Sequence, residues 1–247
     1  MFDPSVVIPV FNHEDVISTR VDAITAMGLP CILVDDGSEP RCAATLARLA
    51  AANPGRVALV RHARNLGKGA AVMSGLARAY ELGHTHAVQI DADDQHTLSD
   101  IPAFVALARE HPAAIIAGQP VFDASVPAVR LYFRYLTHIL VWVDTLSLEI
   151  RDSMCGFRVY PIAPTLDLSR RAYIGRRMDF DSEVLVRSWW AGTEVITRRT
   201  AVRYPPDGVS HFRMFRDNVH MTRMHIRLLL GMLVRAPRLI ARHWSAR

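Results

Sequence analysis

Cysteine is scarce in this chain: its 247 residues hold three, Cys31, Cys42 and Cys155. They are odd in number, far apart and free of C-x-x-C spacing, which argues against a disulfide framework or a zinc knuckle and fits a reducing compartment. Secretory leader features are missing too. Val6, Val7 and Ile8 follow the start with neither a basic n-region nor a long apolar run, so a cytoplasmic setting is expected. The apolar stretch Asn218–Trp244, interrupted by Arg and His, holds no run long enough to span a bilayer. Neither G-x-x-x-x-G-K-[ST] nor G-x-G-x-x-G occurs, which lowers kinase and dinucleotide-binding readings. The net charge is +5, with much of the basic excess after Arg170. That asymmetry invites an anionic partner. No nucleic-acid module is recognisable and the basic residues are not interleaved with aromatics, so nucleic acid is not the expected one.

Half of the residues are hydrophobic and 21% are charged, which excludes a disordered chain and suits a sheet buried on both faces. Short β-branched runs at Ser5–Pro9, Cys31–Val34, Val57–Arg61 and His86–Ile90 are too brief for helices. Between them, Asp15–Met27, Arg41–Asn53 and Gly69–Leu82 carry apolar residues at helical spacing. This alternation predicts an α/β fold with a mostly parallel central sheet and crossover helices. A helix over Ile101–His111, a buried strand over Ala114–Ala117 and helical periodicity over Val126–Leu148 follow. Asn218–Trp244 reads as an amphipathic helix, to lie on a membrane surface or to dock on its own domain or a second subunit.

In an open α/β sheet, ligands bind beyond the carboxyl ends of the strands. Four polar loops fall there: Phe11-Asn12, Asp35-Asp36-Gly37-Ser38, Asn65-Leu66-Gly67-Lys68-Gly69 and Asp91-Ala92-Asp93-Asp94-Gln95-His96. Asp91 and Asp93, one residue apart at a strand end, can converge on a hard divalent cation, with Gln95 as a further oxygen ligand. Such an ion neutralises a leaving diphosphate. The alternative is an acidic turn capping the helix near Leu98. Asp35 and Asp36 can accept hydrogen bonds from a ribose or a base, or form a plain β-turn. The glycines around Lys68 permit close backbone approach, and a phosphate near that helix N-terminus is favoured.

These four motifs in register resemble the family 2 glycosyltransferases, near the dolichol-phosphate mannose synthase branch. The similarity runs from Ser5 to Ser210 and includes Asp152-Ser153-Met154-Cys155-Gly156-Phe157-Arg158, which matches the family's D-x-x-x-G-F-R segment. The resemblance implies a GT-A fold, expected over residues 1–215; the amphipathic segment over 216–247 stands outside it. It also implies a nucleotide-sugar donor, inversion at the anomeric carbon, and Mg²⁺ or Mn²⁺ as cofactor. By position, Pro9, Asn12, Asp35, Asp36, Lys68 and Asp91 would line the nucleotide pocket. Asp91, Asp93 and Gln95 would hold metal and diphosphate.

Asp181, in Phe180-Asp181-Ser182-Glu183, falls where the family places its base. A base is required when the acceptor is a hydroxyl. The competing reading makes Asp181 the N-cap of a helix over Ser182–Trp190. Glu183 matches a glutamate of the polyprenyl-phosphate branch. That branch commonly carries Gly-Ser-Arg where this chain has Gly118-Gln119-Pro120, so the arginine that grips a lipid phosphate is missing. Arg130, Arg134, Arg158 and His211 are the expected substitutes on the acceptor side. Tyr204–His211 reads either as a loop closing over donor and acceptor or as a surface turn. The expected partners are thus a nucleotide-sugar donor, a polyprenyl phosphate or lipid-like acceptor, the cytosolic face of a membrane and, for the C-terminal helix, another copy of the chain. A nucleotidyltransferase and a non-catalytic nucleotide-sugar or membrane-binding module are the competing functions.

Overall fold

The structure, a computed structural model, describes residues 1–122, 126, 128–202 and 214–245, without the side chains of 128–130, 214 and 243–245. The predicted alternation is present: β1 (Pro4–Val10), α1 (Glu14–Ala26), β2 (Cys31–Asp35), α2 (Pro40–Ala52), β3 (Val57–Arg61), α3 (Lys68–Glu81) and β4 (His86–Gln89). Then come α4 (Ile101–Glu110), β5 (Ile115–Phe122), α5 (Ala128–Thr145), β6 (Arg158–Pro161), α6 (Ile162–Arg171), α7 (Phe180–Ala191), β7 (Val195–Val202) and α8 (Met214–Ser245). One seven-stranded sheet runs in the order β3-β2-β1-β4-β6-β5-β7. All pairings are parallel except those of β6, which runs antiparallel to β4 and β5.

Alternate residues of β1 point to opposite faces, and each face buries its own cluster. Val6, Ile8 and Val10 pack with Ile17, Val21 and Ile24 of α1 and with Phe104 of α4. Val7 packs on the other side with Val72 and Leu76 of α3, a layer that continues into α7 and α8. Each such fully buried aliphatic side chain contributes roughly 1.5–3 kcal/mol. The cysteines are free and buried. Burial pushes the Cys31 and Cys155 thiols up to about 12.

Three elements had no sequence signal strong enough to place them: β6, α6 and β7. β6 has four residues, Arg-Val-Tyr-Pro, and all are buried. Its polar side chains are satisfied by tertiary contacts that periodicity cannot report. β5 also extends beyond the expected Ala117, through Pro120. Its pairing with β6 stops at Ala117 while β7 runs alongside to Phe122. A residue without an N–H is tolerated where one side of the ladder is open.

The stripe of α8 formed by Met224, Leu228, Met232 and Leu239 is buried in the core. His225 Nδ1 lies 2.8 Å from Asp144 Oδ2 of α5, and Arg227 Nη2 lies 2.7 Å from Glu183 Oε2 of α7. The other side of α8 exposes Phe215, Ile226, Leu230, Leu233, Val234 and Ile240. Among the described residues no helix is long and apolar enough to cross a membrane.

Candidate active site

The strand order reverses between β1 and β4, and a reversal of this kind leaves a crevice at the carboxyl edge of the sheet. The four polar loops converge at that edge through specific bonds. At the end of β2, Asp35 Oδ1 accepts the Ser38 N–H at 2.8 Å and Oδ2 accepts Arg61 Nε at 3.0 Å. Asp36 accepts the N–H groups of Leu66 (2.9 Å) and Gly67 (2.8 Å), and its Oδ1 lies 2.7 Å from His62 Nδ1. A carboxylate that receives main-chain N–H groups forms charge-assisted bonds of roughly twice the usual strength. Asp36 therefore shapes the loop that carries Lys68. Asn12, at φ 56°, accepts the Glu39 N–H on its Oδ1 at 2.8 Å and donates its own N–H to Ser38 Oγ at 3.2 Å. Pro9 stands beside Val34 in the β1–β2 register.

The glycines flanking Lys68 serve the protein itself. A Cβ on Gly67, whose φ is 104°, would come within 2.5 Å of Arg176 O. One on Gly69 would come within 2.5 Å of Phe180 Cβ and 2.7 Å of Gly175 O. The Ala70 N–H donates to Arg176 O at 3.0 Å. The close approach that these glycines permit is thus to the segment 175–180, which delivers Asp181 to the site.

Lys68 Nζ lies 2.8 Å from Asp91 Oδ2 and 2.7 Å from Asp181 Oδ2. Burial alone would pull the ammonium pKa down, but the two carboxylates outweigh it and raise it. For Asp91, burial works upward and is overcome by Lys68 and by His96, whose Nε2 is 3.9 Å away, so its carboxyl lies well below the usual range. Asp93 goes the other way: burial and the charge on Asp91 both push its pKa up. Its Oδ1 accepts the Gln95 N–H at 3.2 Å. The neighbouring Asp94, at φ 59°, is ion-paired at 2.5 Å to Arg20, an arginine only 1% exposed. The acidic loop is therefore pinned to α1.

Asp181 is not a helix cap. Helix α7 begins one residue earlier, behind Asp179, and Asp181 falls in its first turn. Its carboxylate also receives Gln89 Nε2 at 3.3 Å, and its main-chain carbonyl accepts Arg158 Nη1 at 2.6 Å.

The residues of the acidic loop fit a divalent cation. Asp91 Oδ1 is buried without a hydrogen-bond partner, and burial and the charge on Asp91 raise the Asp93 pKa against the weaker opposing pull of His96, the Gln95 N–H and Lys68, a setting that a cation beside both carboxylates would relieve. Among the described residues no three His, Cys, Asp or Glu side chains form a ready cage. Oxygens from Gln95, water or a ligand diphosphate would complete the shell, as hard divalent ions accept.

Two expected acceptor-side arginines point inward. Arg158 is fully buried and donates to Cys155 O, Ser153 O, Asp181 O and Tyr160 Oη, so it cannot meet an acceptor. Arg134 binds Asp152 through Nε and Nη2. The Arg130 side chain and His211, like the whole of Tyr204–Ser210, lie outside the described residues. The D-x-x-x-G-F-R segment acts as a brace: Asp152 Oδ1 accepts the N–H groups of Met154 and Cys155, and a Cβ on Gly156 would stand 2.7 Å from Asp91 Cγ.

Sequence reasoning missed Gln89 and Tyr160. Gln89 is fully buried, and its Oε1 accepts the Tyr160 hydroxyl at 3.1 Å while its Nε2 reaches Asp181. A polar residue inside an otherwise apolar strand was the available signal. Glu183 is also fully buried: it accepts from Gly175 N (2.8 Å), Arg187 Nε (2.9 Å) and Arg227 Nη2 (2.7 Å). It ties α7, α8 and the segment over Lys68 together.

A mostly parallel sheet with an antiparallel insertion, presenting a carboxylate loop and a lysine at its carboxyl edge, is the GT-A architecture of glycosyltransferases. The chain belongs to the glycosyl transferase family 2, whose model matches residues 5–130. It is 24% identical over 211 residues to an uncharacterized protein of Methanocaldococcus jannaschii, a match covering 83% of this chain and 90% of that one. Over 107 residues it is 33% identical to UDP-N-acetylglucosamine--dolichyl-phosphate N-acetylglucosaminyltransferase of Methanococcus voltae, covering 38% of this chain and 43% of that protein. Over 113 residues it is 39% identical to undecaprenyl-phosphate 4-deoxy-4-formamido-L-arabinose transferase of Edwardsiella ictaluri, covering 43% of this chain and 34% of that protein. These two matches span less than half of either enzyme. The fold resembles that of glucosyl-3-phosphoglycerate synthase from Mycobacterium tuberculosis, solved with Mn²⁺, uridine diphosphate and glucosyl-3-phosphoglycerate. The TM-score is 0.66 at 18% identity, covering 94% of this chain and 80% of that one.

Proposed function

We propose that this glycosyltransferase moves a hexose from a nucleotide-sugar donor to a polyprenyl phosphate or similar lipid-like acceptor, with inversion at the anomeric carbon and with Mg²⁺ or Mn²⁺. The observation that carries the reading is Lys68 held between Asp91 and Asp181, on a loop that Asp36 anchors. A cation beside an acidic loop at the carboxyl edge of the sheet supports a site for a sugar diphosphate there. The uridine diphosphate and Mn²⁺ in the structural relative support such a donor and cofactor. The polyprenyl-phosphate enzymes among the relatives support the acceptor.

In the proposed reaction an acceptor oxygen attacks the anomeric carbon while the bond from that carbon to the diphosphate breaks, and the electron pair leaves with the diphosphate. Asp91, Asp93 and Gln95 would hold the ion, which neutralises charge on the leaving group when bound. Lys68 adds a fixed positive charge, prepositioned by Asp181. Pro9, Asn12 and Asp35 frame the nucleotide, and Asp36 acts through the loop it anchors. A phosphate acceptor brings no proton to remove. A hydroxyl acceptor gives its proton to the Asp181 carboxylate.

Residues 1–215 form the catalytic part in this reading, and 216–247 attach it to the cytosolic face of a membrane. Helix α8 supports this: its outer face is apolar, Arg216, Arg223, Arg235 and Arg238 are exposed, and its one acid, Asp217, is buried. The test is release of nucleoside diphosphate from a panel of nucleotide sugars with Mn²⁺, with and without polyprenyl phosphate. Acceptor-stimulated release from one donor is the expected result. Pyrophosphate release from a nucleoside triphosphate, or binding without turnover, would overturn it.

A further inference from the structure

We infer that Arg20, a residue of α1 outside the crevice, is a positioning residue for the donor site: through Asp94 it holds residues 93–95 of the acidic loop in the shape that meets an ion and a diphosphate. The inference rests on the metal-dependent reading above and adds to it a residue that touches neither ligand.

The acidic loop is secured unequally on its two sides. On one, His96 pairs with Val202 at the end of β7, Thr97 Oγ1 donates to Ala201 O at 3.4 Å, and Asp100 Oδ2 accepts the Thr200 hydroxyl at 2.7 Å. On the other, Arg20 Nη1 lies 2.5 Å from Asp94 Oδ1. Among the described residues no other hydrogen bond or ion pair joins Asp93, Asp94 or Gln95 to a residue outside the loop. Asp94 stands at φ 59°, a left-handed conformation that a non-glycine residue keeps when its surroundings impose it. Its two neighbours, Asp93 and Gln95, are the proposed ligands of the ion, so their direction follows from that one backbone turn.

Stability does not account for an arginine at this position. Arg20 is 1% exposed and shares the buried side of α1 with Ile17, Val21 and Ile24. Its Nε and Nη2 are buried without a hydrogen-bond partner, an arrangement that costs the fold. Asp94 needs little from it in return, because its side chain is 60% exposed and its charge is solvated with or without a partner. An apolar side chain of similar length would therefore leave no uncompensated buried charge behind. Helix α1 also follows closely on Asn12, which is bonded to Ser38 and Glu39. The Arg20–Asp94 bond thus ties the acidic loop to the helix that leads out of the nucleotide loop, and it fixes the spacing between the two halves of the proposed donor site.

Uridine diphosphate and guanosine diphosphate are titrated calorimetrically into the whole chain with Mn²⁺ present, and the ligand-free melting temperature is recorded for the same proteins. Arg20→Met is expected to melt no lower than the wild type and to bind the accepted diphosphate at least about tenfold more weakly, as when residues behind a metal site are removed. Asp94→Gly removes the carboxylate where glycine is unstrained and is expected to lose a similar factor. The double variant should bind no more weakly than the weaker single one, because residues acting through one bond do not give additive losses. Wild-type affinity in either single variant overturns the inference and leaves the donor reading standing. So do losses that multiply in the double variant. An Arg20→Met that melts well below the wild type, or does not fold, makes Arg20 a structural brace and overturns the inference too. A wild type that binds neither diphosphate, with Mn²⁺ or with Mg²⁺, overturns the donor reading and the inference with it.

Discussion

Arg134 grips Asp152 through two parallel hydrogen bonds, Nε to Oδ2 and Nη2 to Oδ1, each 2.7 Å long. The pair joins α5 to the turn before β6, and that turn abuts Asp91. Its surroundings are largely dry, with the Asp152 side chain 4% and the Arg134 side chain 14% exposed. Removing one partner of a buried pair leaves the other uncompensated and costs about 3–5 kcal/mol. Arg134→Ala should therefore lower the urea midpoint sharply, whatever its effect on turnover. A midpoint equal to that of the wild type would show that the pair is not a structural brace.

The same pair sets a pH dependence. Burial works to raise the Asp152 pKa, but His138 and Arg134 overcome it and hold the carboxyl well below its ordinary value. The stabilisation is fully present above the unfolded pKa of about 3.9 and is lost as pH falls through the lower folded value. Asp152→Asn should be less stable than the wild type at neutral pH, and the gap should narrow on acidification below about pH 4. Denaturant titrations of both proteins across that range check the slope.

Gly69 tests how the segment bearing Asp181 reaches the lysine loop. An added methyl would press on Phe180 Cβ and Gly175 O, both rigidly placed. Overpacking of this kind costs typically about 1–3 kcal/mol. Gly69→Ala should reduce the melting temperature and weaken donor binding together, because the shift that relieves the clash moves Asp181 away from Lys68. Calorimetry on the purified variant, paired with donor titration, separates the two effects.

Asp93 should show a conflict between stability and activity. Burial and its neighbour Asp91 raise its pKa, so its carboxylate is an unfavourable charge in the ligand-free protein. Asp93→Asn removes that charge at nearly constant shape. The expected outcome is an unchanged or slightly higher melting temperature with a loss of transfer of about a hundredfold or more, consistent with sites that retain strain for function. Wild-type turnover in the variant would remove Asp93 from the proposed metal site.

For α8, Leu230 and Leu233 are each 60% exposed. If this face meets lipid, burying each leucine there contributes roughly 1.5–3 kcal/mol, and the arginines favour anionic headgroups. Leu230→Glu combined with Leu233→Glu should cut sedimentation with phosphatidylglycerol-containing vesicles at least tenfold. Phosphatidylcholine vesicles should bind the wild type poorly. Self-association that vanishes in the same double variant, without any vesicle binding, would assign the face to a second copy.

The first half of the fold was legible because each strand there is a short β-branched run and each helix has its own periodicity. The carboxyl-edge loops followed from that alternation alone. β6 was not legible: Arg158 and Tyr160 are polar residues made tolerable inside the core by the Asp181 main-chain carbonyl and by Gln89, both distant in sequence. The same long-range satisfaction hid the role of Arg158, which resembles a ligand-binding arginine until its donors are traced. Asp91, Asp93 and Lys68 could be read as neighbours from strand order. That Asp181 arrives from 90 residues beyond Asp91 to hold the same ammonium depends on how α7 packs over α3, which no local pattern encodes.

Lys68 is the only lysine in the sequence, the other 28 basic residues being arginine. The chain thus carries a single ε-amino group, seated between two carboxylates at the proposed active site. Growth on ¹⁵N-lysine would yield one side-chain resonance, a spectroscopic reporter with no background. Its frequency and proton-exchange rate would register each arriving ligand directly, without any engineered label.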